Sequence, residues 1–254
     1  MASRKQQKEE LRRQRLEAEK READATQRRL MLGYLVAGLL AAAVVAGLVI
    51  VIATSGGGSS SDDFCSEAHV NTQFGTPPKG VAADCREGTA PPAVKQADLQ
   101  RAADAAGCEL MLDLPDEGNS HIKPTDPEPN YKTNPPTSGN HIVPPLQAAD
   151  GAYSQPIQPV YFVHSLEHGR IEIQYSPDLP KKDQLALKGV FDEDPPGMLF
   201  FPNTKMPYEV ATTAWTNLMG CPTYKGAKTL DAVRDFRDTY RGLGPEPLPI
   251  DVSG

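Results

Sequence analysis

Residues 30–53, LMLGYLVAGLLAAAVVAGLVIVIA, form an uninterrupted run without a single charged residue. A bilayer core about 30 Å thick needs about 20 residues at a helical rise of 1.5 Å, so this run is long enough to span it with some tilt. A cleaved signal peptide would place an apolar region of about 7–15 residues behind a short basic start. Here 29 residues precede a longer run. The sequence therefore predicts one uncleaved transmembrane helix, and with it four segments. These are a charged cytoplasmic helix at 1–29, the span at 30–53, a Gly/Ser/Pro-rich tether with a disulfide-clipped extension at 54–95, and an extracytoplasmic domain at 96–254.

Charge sets the orientation. Residues 1–29 carry 10 Lys/Arg against 6 Asp/Glu, with Arg28 and Arg29 abutting the span, whereas TSGGGSSSDD follows it. The positive-inside rule then places the N-terminus in the cytoplasm and the remainder outside the plasma membrane. The lipid bilayer is the expected partner of residues 30–53. Of the chain's 26 basic and 33 acidic residues, 16 and 27 fall after residue 53. An acidic domain cannot displace phosphate counterions, which argues against nucleic-acid binding. The stub KQQKEELRRQRLEAEKREADATQRR is built of strong helix formers with Glu9–Arg13 and Glu17–Arg21 at supporting spacing. Leu11, Leu16 and Ala23 are too sparse for a coiled-coil seam.

All four cysteines, Cys65, Cys85, Cys108 and Cys221, follow the apolar run. An even count in an oxidising compartment reads as disulfides. We favour Cys65–Cys85, stapling the extension, and Cys108–Cys221, tying the start of the main domain to its late part. The expected architecture is a compact α+β domain with a small, mostly antiparallel sheet and two or three helices. Helices are predicted at 97–107, 181–191 and 229–241, the last with Thr229 as N-cap. Strands are predicted at 160–164 (VYFVH), 170–175 (RIEIQY), 197–202 (GMLFFP) and 208–215 (YEVATTAW). The proline-rich stretch 113–159 reads as ordered surface loop.

Three histidines stand in unusual contexts. His141 closes NPPTSGNH, a proline-positioned turn, and His164 and His168 lie within FVHSLEHGR. Imidazole is the commonest protein ligand for zinc and copper, so His141, His164 and His168 are the candidate metal ligands, with Met198 and Met206 as weaker thioether additions. The competing reading is that these histidines only brace a turn against a loop. His164-Ser-Leu-Glu167-His168 also matches the HxxEH pattern of inverted zinc peptidases, in which Glu167 would act as base. That chemistry needs the pattern on a helix, whereas both flanks read as strand. Trp215, the only tryptophan, reads as a core residue.

NPPTSGNH, Gly151–Tyr153, VHSLEHGRIEIQY, VATTAW and a late PEP together resemble a bacterial family of membrane-anchored extracytoplasmic domains of unknown function. The resemblance covers about residues 107–247. It implies a shared site at His141, Glu167 and His168, and it implies no activity. This chain departs from the pattern at Thr216, where relatives tend to carry glycine after the tryptophan. The sequence thus favours a single-pass extracytoplasmic protein holding copper or zinc through a histidine cluster. The alternatives are a metal-dependent hydrolase using HSLEH, and an interaction module without metal.

Overall fold

The computed structural model describes residues 70–72 and 74–250. These belong to one compact unit, Ser60–Gly254. Among the described residues the strands are β1 (Val70–Asn71), β2 (Glu109–Met111), β3 (His121–Ile122), β4 (His141–Ile142), β5 (Asp150–Ala152), β6 (Ile171–Tyr175), β7 (Met198–Pro202), β8 (Val210–Ala214) and β9 (Asn217–Cys221). Among the described residues the helices are α1 (Leu99–Ala106), α2 (Pro159–Glu167), α3 (Lys181–Asp192) and α4 (Ala227–Tyr240).

Seven strands make one mixed sheet in the order β1-β5-β7-β6-β8-β9-β2, and β3 and β4 pair separately in parallel. The expected small, mostly antiparallel sheet with two or three helices is thus corrected to a large mixed sheet with four. Within it β5, β7 and β6 run parallel to one another. Parallel neighbours need a long crossover, and α3 supplies it between β6 and β7. The expected span at 30–53 lies outside the described residues, as does the stub at 1–29. Among the described residues no helix is long and apolar enough to cross a membrane.

Alternation along the central strands sends side chains into two layers. Ile171, Ile173 and Tyr175 of β6 join Met198 and Phe200 of β7 in the core beneath α1, α3 and α4. Leu199, Phe201 and Trp215 face the other way and pack against Phe162, Val163 and Leu166 of α2. The α1 helix begins at Asp98, whose carboxylate accepts from the Arg101 amide at 3.0 Å, and ends at Gly107. In α4 the N-cap is Gly226 rather than Thr229, and the Thr229 hydroxyl accepts from the Lys225 amide at 2.9 Å.

The principal local correction concerns 160–164. Pro159 occupies the first turn of α2, where its fixed φ suits a helix start. Seven of the nine residues of α2 are buried. A helix enclosed on nearly all sides shows no polar stripe, so its β-branched and aromatic content imitates a strand. It ends at Glu167 with His168 as its C-cap, and Gly169 just beyond has a φ of +78° and a position where a Cβ would meet the Gly242 backbone at 2.8 Å. The stretch 113–159 is likewise not confined to the surface: Thr137, Ser138, His141, Ile142 and Tyr153 are buried.

Cys108 and Cys221 are joined, with Cα atoms 4.1 Å apart. The bridge sits beside the Glu109–Gly220 pair and fastens the edge strand β2 to β9. Cys85 is disulfide-bonded as well, and Cys65 lies outside the described residues.

Candidate metal centre

The site forms where the β3–β4 pair lies against the last turn of α2. His121 and His141 are directly paired residues of the two strands, so their side chains emerge together. His164 and Glu167 are three apart on α2 and share a face. The loop before His141 is held by its neighbours. The Gly139 amide donates to the Gly118 carbonyl at 2.9 Å, and the His141 amide donates to the Ser120 carbonyl at 3.1 Å. Gly139 has a φ of +122°, and a Cβ there would strike the Tyr131 ring at 2.8 Å. Trp215 meets the His141 ring edge-on at 6.2 Å.

Ring centroids lie 5.0 Å apart for His121–His141, 5.0 Å for His121–His164 and 4.6 Å for His141–His164. Glu167 Oε2 points among them, 3.1 Å from His141 Nε2, 3.8 Å from His121 Nε2 and 4.0 Å from His164 Nε2. One donor atom from each of these four residues falls within 4.8 Å of the others. Ligands 2.0–2.1 Å from a tetrahedral ion stand roughly 3.3 Å from one another. The 3.1 Å contact already meets that spacing, and the longer ones need inward shifts of under an ångström.

Protonation makes the arrangement chemically pointed. His141 Nδ1 lies 2.8 Å from the Gly139 carbonyl, which can only accept, so Nδ1 carries the hydrogen. Burial pushes the His141 pKa down to about 4 and the His164 pKa down to about 3, with the neighbouring histidines adding to the shift. The His141 ring is therefore neutral at pH 7, and its bare Nε2 lone pair confronts Glu167 Oε2. Two acceptors at 3.1 Å need a proton or a cation between them. Burial and the nearby Glu246 raise the Glu167 pKa, with His168, His121 and Asn119 opposing. Either a shared proton or a metal ion would satisfy both atoms.

His164 states the case for a cation more sharply. Its side chain is 0% exposed, and neither ring nitrogen has a hydrogen-bond partner of proper geometry, although the Ile142 backbone exerts a small upward pull on its pKa. Glu167 Oε1 is also buried and has no partner of proper geometry, although an Asn119 side-chain hydrogen bond acts on the carboxyl. Buried polar atoms are ordinarily satisfied, and this concentration of donor atoms is one that could hold a metal ion. The negative end of the α2 dipole adds a further attraction for positive charge.

Of the expected trio, His141 and His164 come together. His168 caps α2, and its ring lies 4.9 Å from that of His164. Its Nδ1 bonds the Glu246 carbonyl at 2.8 Å, and its ligand atom groups with those of Glu167 and Glu246. Met198 is 0% exposed in the core on the opposite face of the sheet. Met206 is half-buried in the loop between β7 and β8. His121 was missed by sequence reasoning. One signal was available: Gly118-Asn-Ser-His121-Ile echoes Gly139-Asn-His141-Ile, the two segments that pair as β3 and β4.

Residues 123–249, half of the 254-residue chain, match the family described as Protein of unknown function (DUF3105). The chain belongs to that family. The DUF3105 match takes in His141, His164, Glu167, His168 and Glu246, while His121 falls two residues before it. Comparison with curated proteins and with solved structures gave no match.

Proposed function

We propose that this DUF3105 protein holds a zinc or copper(II) ion through His121, His141, His164 and Glu167. The observation that carries the reading is the fully buried, unpartnered His164 imidazole beside the His141–Glu167 contact. Three imidazoles and one carboxylate suit these two metals. The donor set contains no thiolate or thioether, so it does not select copper(I). His121 is 37% exposed while the other three ligands are buried, which leaves an entry side for the ion. Elemental analysis of the full chain, purified from its native compartment without chelators or a metal-affinity tag, should find at least one ion per chain. His164→Leu should abolish it while the disulfides and circular dichroism are retained. Metal-free protein that binds Zn²⁺ and Cu²⁺ no better than His164→Leu would refute the reading.

The helical setting of HSLEH supports a second, hydrolytic reading, because it removes the objection raised by the strand expectation. Glu167→Gln separates the two. A ligand role predicts weakened metal binding, and a general-base role predicts retained metal with lost hydrolysis.

The location we propose is the outer face of the plasma membrane. Residues 30–53 would hold the chain at the bilayer, with Arg28 and Arg29 on the cytoplasmic side. The Cys108–Cys221 bridge supports an oxidising compartment. Protease added to intact cells should remove the domain and spare the N-terminal stub. Complete protection of the domain would refute this orientation.

A further inference from the structure

The carboxylate of Glu167 has two oxygens, and the four-ligand centre uses one. Oε2 is the oxygen nearest to all three histidines. Oε1 belongs to a side chain only 1% exposed and has no hydrogen-bond partner of proper geometry, although an Asn119 side-chain hydrogen bond pulls the carboxyl's pKa down. A buried carboxylate oxygen left bare beside a cluster of lone pairs is costly unless something positive occupies its other side. His168 and Glu246 stand beside the same carboxylate. One donor atom from each of Glu167, His168 and Glu246 lies within 4.8 Å of the other two.

His168 is prepared as a ligand. Its Nδ1 lies 2.8 Å from the Glu246 carbonyl, an acceptor only, so Nδ1 carries the hydrogen and Nε2 presents a lone pair. This is the outer hydrogen bond by which metal-bound histidines are commonly oriented. Glu246 is brought here by backbone contacts. Its amide donates to the Glu167 carbonyl at 3.1 Å, and the Leu248 amide donates to the His168 carbonyl at 3.4 Å. Arg170 holds the same segment by donating to the carbonyls of Leu248 and Pro249. The C-terminal segment thus docks on the end of α2 and delivers one exposed carboxylate beside a buried one.

We propose that Glu167 bridges two metal ions, the second being a divalent cation held by Glu167 Oε1, His168 Nε2 and the Glu246 carboxylate, with water completing its shell. This rests on the four-ligand reading above. Two carboxylate oxygens and one imidazole form a harder set than the first centre and suit zinc or manganese. Carboxylate-bridged ions stand about 3.5–4 Å apart, which the two oxygens of one carboxylate can span. Because Glu246 is exposed, the second ion binds more weakly and exchanges faster than the first.

Equilibrium dialysis of the full chain against Zn²⁺ tests this, with metal counted by elemental analysis. Wild type should bind two equivalents of unequal affinity. Glu246→Gln and His168→Asn, the latter keeping a side-chain donor for the Glu246 carbonyl, should each bind one, with the tighter affinity within about threefold of wild type. Circular dichroism confirms that each variant is folded. One equivalent in wild type, unchanged in both variants, would overturn the bridge and leave the four-ligand centre standing. Two equivalents in wild type and in both variants would place the second ion elsewhere and also overturn it. No bound zinc in wild type would overturn both readings.

Discussion

Replacing Glu172 by Gln isolates a buried ionisation from every other titration in the domain. Glu172 sits in β6 with its side chain fully enclosed on the α2 side of the sheet. Its Oε2 accepts from the Thr213 hydroxyl at 2.6 Å and from the Gln174 amide at 3.0 Å, while Oε1 has no partner. Burial raises its pKa well above the usual carboxylate range, and the two hydrogen bonds oppose that only in part. The folded protein therefore keeps the carboxyl protonated, on the unpartnered oxygen, after the unfolded chain has ionised near pH 4.3. Above that pH the unfolded state binds fewer protons than the native state, so stability falls as pH rises. One proton corresponds to about 1.4 kcal/mol per pH unit until the native carboxyl itself ionises. Gln reproduces the neutral acid: its carbonyl can accept both donors, and its NH₂ takes the place of the O–H.

The stability advantage of Glu172→Gln over wild type should thus be smallest below pH 4.3. It should widen as pH rises above 4.3, by at most about 1.4 kcal/mol per pH unit, until the native carboxyl ionises. Asp150 and Glu167, whose pKa values burial also raises, slope the wild-type curve in the same sense but cancel in the difference. Urea unfolding of the full chain follows this through Trp215, the only tryptophan, with chelator present so that metal occupancy does not vary. Parallel stability curves for the two proteins, or an advantage that shrinks with rising pH, would refute the reasoning.

Removing the Cys108–Cys221 bridge by a double alanine substitution frees a loop of 113-residue separation. It should cost about 4–5 kcal/mol in the chain-entropy account, checked by urea unfolding against wild type; a loss under about 1 kcal/mol would contradict it. Arg170→Met leaves Asp150 buried without its 3.0 Å partner and releases the carbonyls of His168, Leu248 and Pro249. It should cost about 3–5 kcal/mol and increase amide hydrogen exchange at Leu248 first; unchanged exchange there would show that Arg170 does not hold the segment.

Local pattern carried much of the architecture. Ile171–Tyr175, Met198–Pro202 and Val210–Ala214 were legible as strands because each is a compact β-branched or aromatic run bounded by turn residues. The helices Leu99–Ala106, Lys181–Asp192 and Ala227–Tyr240 were legible because charged and polar residues interrupt their apolar positions, so their period shows in the sequence even where burial is extensive. Count and compartment pointed to disulfides, and Cys108–Cys221, the pairing favoured for the main domain, is the bridge that forms. His141 and the HSLEH stretch stood out through rigid or unusual surroundings, although their common site required more than pattern.

Tertiary structure decided the rest, wherever burial erased periodicity or strands were too short to display it. The α2 segment is apolar nearly all round because it is enclosed by sheet and loop, and only that enclosure makes it a helix. Strands β1, β3 and β4 have two residues each and β2 and β5 three, so pairing partners rather than propensity define them. Those short pairings widened the sheet to seven strands, and the separate β3–β4 pair brought His121 to His141. The residue types for the candidate metal centre are written along the chain. That His121, twenty residues before His141 and more than forty before His164, completes it with Glu167 is a consequence of parallel register, a long-range contact that no local window contains.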